Sequence, residues 1–397
     1  MAEKISFVLP WYGIRIAGGA EFLCRHFAEQ LAARGVDVEV LTTCGKELSF
    51  NWNQNYHRPG TETINGVTVR RFEVTPGDHS NYNRINHMLL KGFRVSPADE
   101  RAFMKESINS ESLLAYIREG TADRILVCLP YLYGVPYRAA QIFPERTFLL
   151  PCLHDESYAY LKIIRALHHR VAGIIFNSET EQTFGRDLYE LGDKPQAVIG
   201  MGIDEPPGVD ATRFRAKFQI KEPFLIYIGR RDATKNTPLL VSLFESYKRD
   251  EKRDLKLVFL GAGAVEVPTK IKWEVVDLGF VSEQDKFDAC AASLALVQPS
   301  VNESFSIVLM EAWLCGAPVL VHGGCGVTRE HCVASNGGLY FGSYLEFREM
   351  VNLLLDHPRL GRALAQNGAS YVRANYRWDQ IIERFSKFTH EAVCHAR

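Results

Sequence analysis

The sequence predicts an α/β protein made of two parallel-sheet domains in succession. Three observations predict it. Short apolar runs of strand length alternate with longer stretches whose apolar residues recur at helical spacing, the pattern of βαβ units. The alternation halts at a stretch dense in Gly and Pro, Gly200–Gly208, and then starts afresh. The chain has 397 residues, long for one core and comfortable for two. The expected boundaries are 1–205 for an N-terminal domain and 206–375 for a C-terminal domain, followed by an amphipathic helix over 376–397.

The elements follow in order. KISFVLP is a buried-strand run. A Gly-containing loop leads into a helix with Phe22, Leu23, Phe27 and Leu31 at helical spacing and Gly35 at its stop. VDVEVLTT is a second strand, and INGVTVRRFEV a hairpin-like strand after an Asn-Gly turn. Asn81–Arg118 carries helical pattern with little strand signal. RILVCL, RTFLLPCL and AGIIFNS are strands, each followed by a helix, the last starting near Glu179. After the Gly/Pro stretch come the strands FLIYIG, LKLVFLG, WEVVDLG, SLALVQPS and APVLVHG. Helices are expected over TPLLVSLFESYKR, EQDKFDACAA, SFSIVLMEAWLCG, Tyr344–Leu355 and Pro358–Asn375.

Composition narrows the function classes. A net charge of -1 supplies no overall field toward nucleic acid, so no nucleic-acid partner is expected. Nine cysteines, with no Cys-x-x-Cys pair, read as small buried hydrophobes in a reducing compartment. His322, Cys325, His331 and Cys332 match no usual zinc spacing. No apolar run approaches the ~18 residues of a membrane span. The first residues carry Glu3 in a would-be basic region, and the apolar run is broken by Pro10 and ends at Arg15. They read as a strand rather than a secretion signal, so a cytoplasmic protein is expected.

Four constellations carry chemistry. The densest is PSVNESFSIVLMEAWLCGAPVLV, where Glu303 lies in a turn, a helix starts near Ser304, and Glu311 follows with seven residues between the two acids. A helix N-terminus offers free N–H groups and partial positive charge to a pyrophosphate. Glu303 can face the same cleft, and Glu311 can take a pair of ribose hydroxyls. An ordinary helix with a capping acid and a surface acid would look alike. Second, FLIYIGRRDATKN delivers Arg230 and Lys235 at a strand end, where two cations neutralise a diphosphate; any strand–loop–helix junction can carry the same residues. Third, Gly18 and Gly19 open the first helix without Cβ atoms, with Glu21 in the first turn. That is not a G-x-G-x-x-G run and gives no support to a dinucleotide site. Fourth, His154 follows a strand and can bond a sugar hydroxyl or a departing phosphate, or be a plain loop histidine. His168 and His169 lie on a helix and read as solvated. All four constellations fall at strand C-termini, where open α/β sheets bind ligands, and a cleft between the halves would unite them.

These residues resemble the family-4 group of retaining glycosyltransferases with the GT-B fold, two Rossmann-like domains facing a central cleft. The Glu303-x7-Glu311 spacing matches the group's motif, with the Pro-Ser, Phe and Gly-x-Pro-Val signals around it in register. GGAE at Gly18–Glu21, His154, and Gly229-Arg230 with Lys235 stand where the group has them. Gly323, Gly324 and Glu330 match its Gly-Gly-then-Glu element. The resemblance is strongest from Phe224 to Glu330 and weakest from Phe50 to Arg118. The group's Gly-Phe-Gly is Ser304-Phe305-Ser306 here. By this resemblance the first domain binds the acceptor and the second the nucleotide sugar, and the helix from Trp378 crosses back onto the first. Arg230 and Lys235 would bind the diphosphate, Glu311 the ribose and Glu303 the transferred sugar. Backbone N–H groups of Phe305, Ser306 and Ile307 would hold sugar and phosphate. Phe280 and Val281 would flank the base, His154 would touch the sugar, and Gly18 and Gly19 would line the donor–acceptor junction.

The expected reaction is transfer of a hexose-type sugar from a nucleoside-diphosphate sugar to a hydroxyl of a saccharide or lipid-linked acceptor, with retention. No cofactor is expected, and no metal, because cations and a helix N-terminus carry the departing charge and the chain has no Asp-x-Asp pair. The rivals are a nucleotide-sugar epimerase of the same fold and a non-catalytic interaction scaffold. Relatives that build surface polysaccharides or glycolipids work at membranes, so Leu89–Phe93 and its basic neighbours are read either as a peripheral membrane contact or as core.

Overall fold

The computed structural model describes residues 4–14, 16, 18–120 and 124–395. The sequence reading at Glu3 and Arg15, and the last two residues of the expected terminal helix, lie outside them. The chain forms two compact units, one up to Met201 together with Asp379 onward, the other Gly202–Trp378.

The first unit is a βαβ succession. Its strands are β1 Lys4–Val8, β2 Val38–Thr43, β3 Gly60–Ile64, β4 Val67–Phe72, β5 Arg124–Cys128, β6 Thr147–Leu149, β7 Gly173–Phe176 and β8 Gln196–Val198. They form one sheet in the order β3-β4-β2-β1-β5-β6-β7-β8. Every pairing is parallel except β3 with β4, the hairpin turned by Asn65 and Gly66, both at positive φ. Helices α1 Gly19–Ala33, α2 His79–Leu90, α3 Pro97–Glu106, α4 Glu111–Arg118, α5 Gly134–Ala139, α6 Lys162–Arg170 and α7 Glu179–Tyr189 connect the strands. Local chemistry sets several helix starts. Ser96 and Asp99 form a reciprocal capping box with Pro97 in the first turn, and the hydroxyls of Ser110 and Ser178 accept from the third N–H of their helices. Val8, Leu41, Leu126, Leu149, Ile174 and Phe176 from the strands meet Ile85, Phe103, Leu113 and Leu167 from the helices in one core. Each such side chain withdrawn from water contributes about 1.5–3 kcal/mol before entropy is counted.

One buried charge stands out on β2. Glu39 is fully buried and accepts from Ser6 at 2.9 Å and Arg70 at 2.8 Å, with Lys4 at 3.2 Å and Arg124 at 3.5 Å. Burial alone would raise its pKa. The bonds from Arg70 and Ser6 and the charges of Arg124 and Lys4 outweigh that and hold it below the usual carboxylate value.

The second unit runs α8 Ala211–Phe218, β9 Phe224–Ile228, α9 Thr237–Asp250, β10 Lys256–Leu260, β11 Val275–Gly279, α10 Glu283–Ala292, β12 Ala295–Gln298, α11 Ile307–Leu314, β13 Val319–His322, α12 Gly326–Ser335, β14 Gly338–Phe341, α13 Tyr344–Asp356 and α14 Pro358–Asn375. Its sheet is parallel throughout, in the order β11-β10-β9-β12-β13-β14. The core joins Leu225, Tyr227, Leu257, Phe259, Val297 and Leu320 to Leu240, Phe244, Phe347 and Leu354. The last helix, α15 Trp378–His395, lays Phe385 5.4 Å from Phe27 and 6.4 Å from Phe7, and Phe388 5.6 Å from Phe148, ring centre to ring centre.

Four elements go beyond the sequence reading: β8, α8, α12 and β14. They are short, and α12 and β14 follow the Gly-rich HGGCG run, which masks their period. His168 is a correction. It was expected in solvent, yet it is fully buried, with Nδ1 2.8 Å from the Ile164 carbonyl and its ring against Tyr189. Burial pushes its pKa down to about 4, so it is neutral at physiological pH. His169, one residue on, is exposed as read. All nine cysteines are free thiols, seven of them buried.

Candidate active site

In the second unit the loops at the C-terminal ends of β9 and β12 are tied together by side chains. Gly229 follows β9 and Gly261 follows β10, both at positive φ, and a Cβ on Gly261 would stand 2.2 Å from the Gly229 carbonyl oxygen. Only glycine lets the two backbones approach so closely. Arg230 follows, partly exposed, 3.7 Å from Asp232. Arg231 turns inward, pairing with Asp277 and donating to the Gly261 carbonyl at 2.8 Å. Asp232 caps a short 3-10 turn, Ala233–Lys235, accepting from the Lys235 N–H at 3.0 Å. That turn places the Lys235 ammonium 2.7 Å from the Glu303 carboxylate on the β12 loop. Asn236, at positive φ, adds a second tie by donating to the Pro299 carbonyl at 3.0 Å.

The helix of the Glu-x7-Glu segment starts later than the sequence suggests. It was expected near Ser304, but α11 begins at Ile307. The reason is Ser306, which sits in the left-handed region at φ 68°, a conformation that breaks helical continuity in an L residue. Residues 303–306 are therefore loop. Phe305 is buried edge-on against His331 and Tyr376, at 5.5 and 5.0 Å between ring centres, and pins that loop. Ser306 is buried as well, and its hydroxyl has no hydrogen-bond partner among the described residues. It stands at the mouth of α11, where first-turn N–H groups lack intrahelical acceptors.

Glu311 lies about one turn into α11 and is buried, accepting from the Lys286 ammonium of α10 at 2.8 Å. Lys286 also meets Glu283 at 2.9 Å. Burial raises the Glu311 pKa and the lysine offsets only part of it. Phe280, just past β11, is largely exposed, and Val281 half-buried. Gly323 donates to the Phe341 carbonyl at 2.7 Å, and Gly324 to His322 Nδ1 at 3.0 Å; Glu330 follows on α12. Sequence reasoning missed Asp232, Asn236, Lys286, His331 and Tyr376. Asp232 and Lys286 had a legible signal, a capping acid before a helix and a cation beside Glu283. The other three become visible only through packing.

In the first unit, Gly18 and Gly19 open α1 after β1, and His154 follows β6. Gly18 has extended backbone, which any residue adopts, and a Cβ on Gly19 would meet nothing within 4 Å. A Cβ on Gly18, by contrast, would stand 1.9 Å from a Glu21 carboxylate oxygen, so that side chain would have to swing away. His154 Nδ1 is 3.8 Å from Glu156, whose carboxylate also accepts from the Tyr131 hydroxyl at 2.9 Å. The structure brings Arg230, Lys235, Glu303 and Ser304–Ile307 onto adjoining loops of one sheet edge and sets Glu311 behind them. Gly18, Gly19 and His154 belong to the corresponding edge of the other unit. Among the described residues no cluster of three or more His, Cys, Asp or Glu could hold a metal ion, and no helix is long and apolar enough to cross a membrane.

Residues 209–371, within the second unit, match the family described as "Glycosyl transferases group 1". The second unit is a group 1 glycosyltransferase domain, and the fold of the chain is GT-B. The chain is 28% identical to the D-inositol 3-phosphate glycosyltransferase of Frankia alni over 91% of each chain. Its fold matches a sucrose-phosphate synthase from Thermosynechococcus elongatus with a TM-score of 0.75 at 16% identity, over 99% of this chain and 100% of that one. It also matches an Anabaena HepE structure in complex with UDP and glucose, TM-score 0.66 at 17% identity, over 97% and 98%.

Proposed function

We propose that this protein moves a hexose-type sugar, with retention, from a nucleoside-diphosphate sugar to a hydroxyl of a saccharide or lipid-linked acceptor, in the making of surface polysaccharide or glycolipid. The observation that carries the reading is the Lys235–Glu303 pair, 2.7 Å apart, beside the unpartnered buried hydroxyl of Ser306 at the start of α11. A cation, a hydroxyl and helix N–H groups in one place suit an anion that carries sugar hydroxyls.

Breaking the bond from the anomeric carbon to the phosphate oxygen leaves negative charge on the diphosphate. Arg230, Lys235 and the α11 N-terminus stabilise that charge as it develops. Glu303 orients Lys235 and faces the sugar, and N–H groups of Phe305, Ser306 and Ile307 hold sugar and phosphate. Glu311 takes the ribose hydroxyls, Phe280 and Val281 the base, and His154 the sugar. Gly18 and Gly19 line the donor–acceptor junction. The acceptor oxygen attacks on the face the phosphate leaves, and the departing phosphate oxygen takes its proton. With two side-chain cations on the diphosphate, no divalent ion is required, and chelator leaves the rate unchanged. Leu90 and Phe93 are exposed beside Lys91 and Arg94, which supports a peripheral membrane contact at that loop.

A panel of nucleotide sugars tested for thermal stabilisation, starting with uridine nucleotides because the HepE structure holds UDP, identifies the donor. At free ligand about 100-fold above its dissociation constant the donor stabilises by ~2.7 kcal/mol. NMR of the product then shows the donor's anomeric configuration; an inverted product refutes retention. Donor conversion without acceptor identifies an epimerase instead.

A further inference from the structure

One buried carboxylate in the first unit has no part in the reaction described above. Glu181 lies in the first turn of α7, is 2% exposed, and has no cation paired with it among the described residues. A Ser-x-x-Glu run such as Ser178–Glu181 is ordinarily a local helix cap. Here Ser178 does accept from the Glu181 N–H at 3.1 Å, but the carboxylate reaches out of its helix. One oxygen accepts from the Leu153 N–H at 2.5 Å, the other from the Asn177 N–H at 2.6 Å. Leu153 immediately precedes His154, and Asn177 immediately follows β7. The same loop holds Cys152 at φ 53°, a left-handed conformation that costs energy in a non-Gly residue, and the Asn177 amide contacts the Cys152 sulfur at 3.8 Å. The backbone that presents His154 is thus strained, and a carboxylate with both oxygens engaged holds it in place.

We propose that Glu181 is the positioning residue for His154, its ionised carboxylate clamping the loop after β6 to the end of β7 so that the imidazole is presented for sugar transfer. The inference rests on the reading that His154 touches the sugar. Two N–H donors need two acceptor oxygens. The carboxylate supplies both, whereas a protonated acid or a glutamine turns one into a donor that faces a donor. Burial pushes the Glu181 pKa up to about 7, against the bonds from Asn177 and Leu153 and the charge of His154. The titratable group that acts on it is His154 of the β6 loop; Cys152 of the same loop lies against the Asn177 side-chain amide and, with Glu21, acts on the Cys24 thiol of α1. Its two accepting oxygens therefore change character near neutral pH.

The sign of the linkage separates function from stability. A carboxyl whose pKa is raised from 4.5 to about 7 favours the folded state while protonated and loses that contribution as pH rises through about 7. Activity moves the other way, rising as the clamp ionises. Glu181→Gln should therefore have an equal or higher Tm than wild type at pH 8. With the nucleotide sugar that stabilises the protein most in the panel above, its kcat should fall about 10- to 100-fold with KM little changed. The acid limb of the wild-type kcat profile, centred near pH 7, should vanish in it. Wild-type kcat with the limb intact in Glu181→Gln, while His154→Ala is inactive, overturns the clamp and spares the His154 role. Full activity in His154→Ala removes that role and the clamp with it. If Glu181→Gln does not fold, wild type decides alone. Amide resonances of Leu153 and Asn177 that titrate together near pH 7 support the clamp, and amides unmoved between about pH 5 and 9 overturn it.

Discussion

The two units hold their buried charge to different ends. In the second, Lys235 with Glu303 and Lys286 with Glu311 stand at or just behind the C-terminal edge of the sheet, each pair joining two elements and each carboxylate little exposed. In the first, the most heavily paired carboxylate, Glu39, lies within a strand and gathers Lys4, Arg70 and Arg124 about it. The edge loop of that unit is shaped instead by Glu181, acting on backbone N–H groups. Charge at a strand end can meet a ligand, while charge inside a strand can only hold the fold. Substitutions in the two units should therefore separate activity from stability.

The largest effect is expected at Lys235. Lys235→Ala removes a cation from the diphosphate and leaves Glu303 without its partner, so kcat should fall about 10²–10³-fold. A loss under about three-fold in a nucleotide-sugar transfer assay would place the departing charge elsewhere. Next is the contrasting site. Glu39→Gln keeps the shape but strands three cations around a neutral amide, and should lower unfolding free energy by about 3 kcal/mol at pH 7, with kcat unchanged. The Glu39 pKa is lowered in the fold, so its contribution is present above 4.5 and lost in acid. Denaturation of both proteins should show the gap narrowing as pH falls below 4.5. A constant gap would mean that the destabilisation is steric. Third, Glu311→Ala should weaken the cognate nucleotide at least about ten-fold, cutting its thermal stabilisation at the same ligand concentration from ~2.7 to ~1.4 kcal/mol or less. Lys286→Ala should do the same more mildly, because it disorients the acid without removing it. An unchanged shift in Glu311→Ala removes the ribose role.

Much of this contrast was legible in the residues before any coordinates. Period and turn chemistry marked most strands of both sheets, the Asn65-Gly66 hairpin and the helices of the Asn81–Arg118 stretch, because those signals are local. The Glu-x7-Glu run and the Arg230–Lys235 loop were legible because their chemistry depends on spacing along one segment. What stayed hidden is non-local. Nothing in the run SFSI says that Ser306 takes a left-handed backbone and delays the helix to Ile307, since that conformation follows from Phe305 being pinned by His331 and Tyr376, distant in sequence. His168 read as solvated because its helix ends in His-His-Arg, and only the Tyr189 ring packed over it shows otherwise. Glu181 resembled a helix cap, and its second bond, to Leu153, crosses 28 residues.

The smallest expected effect tests the finest feature of the second unit. Ser306 combines a left-handed backbone with a buried hydroxyl that finds no partner among the described residues, two costs at one position. Ser306→Ala removes the hydroxyl and leaves the backbone as it is, so the free protein should be no less stable. If the hydroxyl bonds the donor, the variant should bind it more weakly by about 1 kcal/mol, roughly five-fold, with kcat nearly unchanged. Ser306→Gly also relieves the left-handed strain and should raise stability by up to about 1 kcal/mol, with the same five-fold loss of affinity. Equal donor affinity in all three proteins would assign the recognition to the backbone N–H groups of the loop and α11. The second unit would then hold its ligand by main chain and paired charge alone.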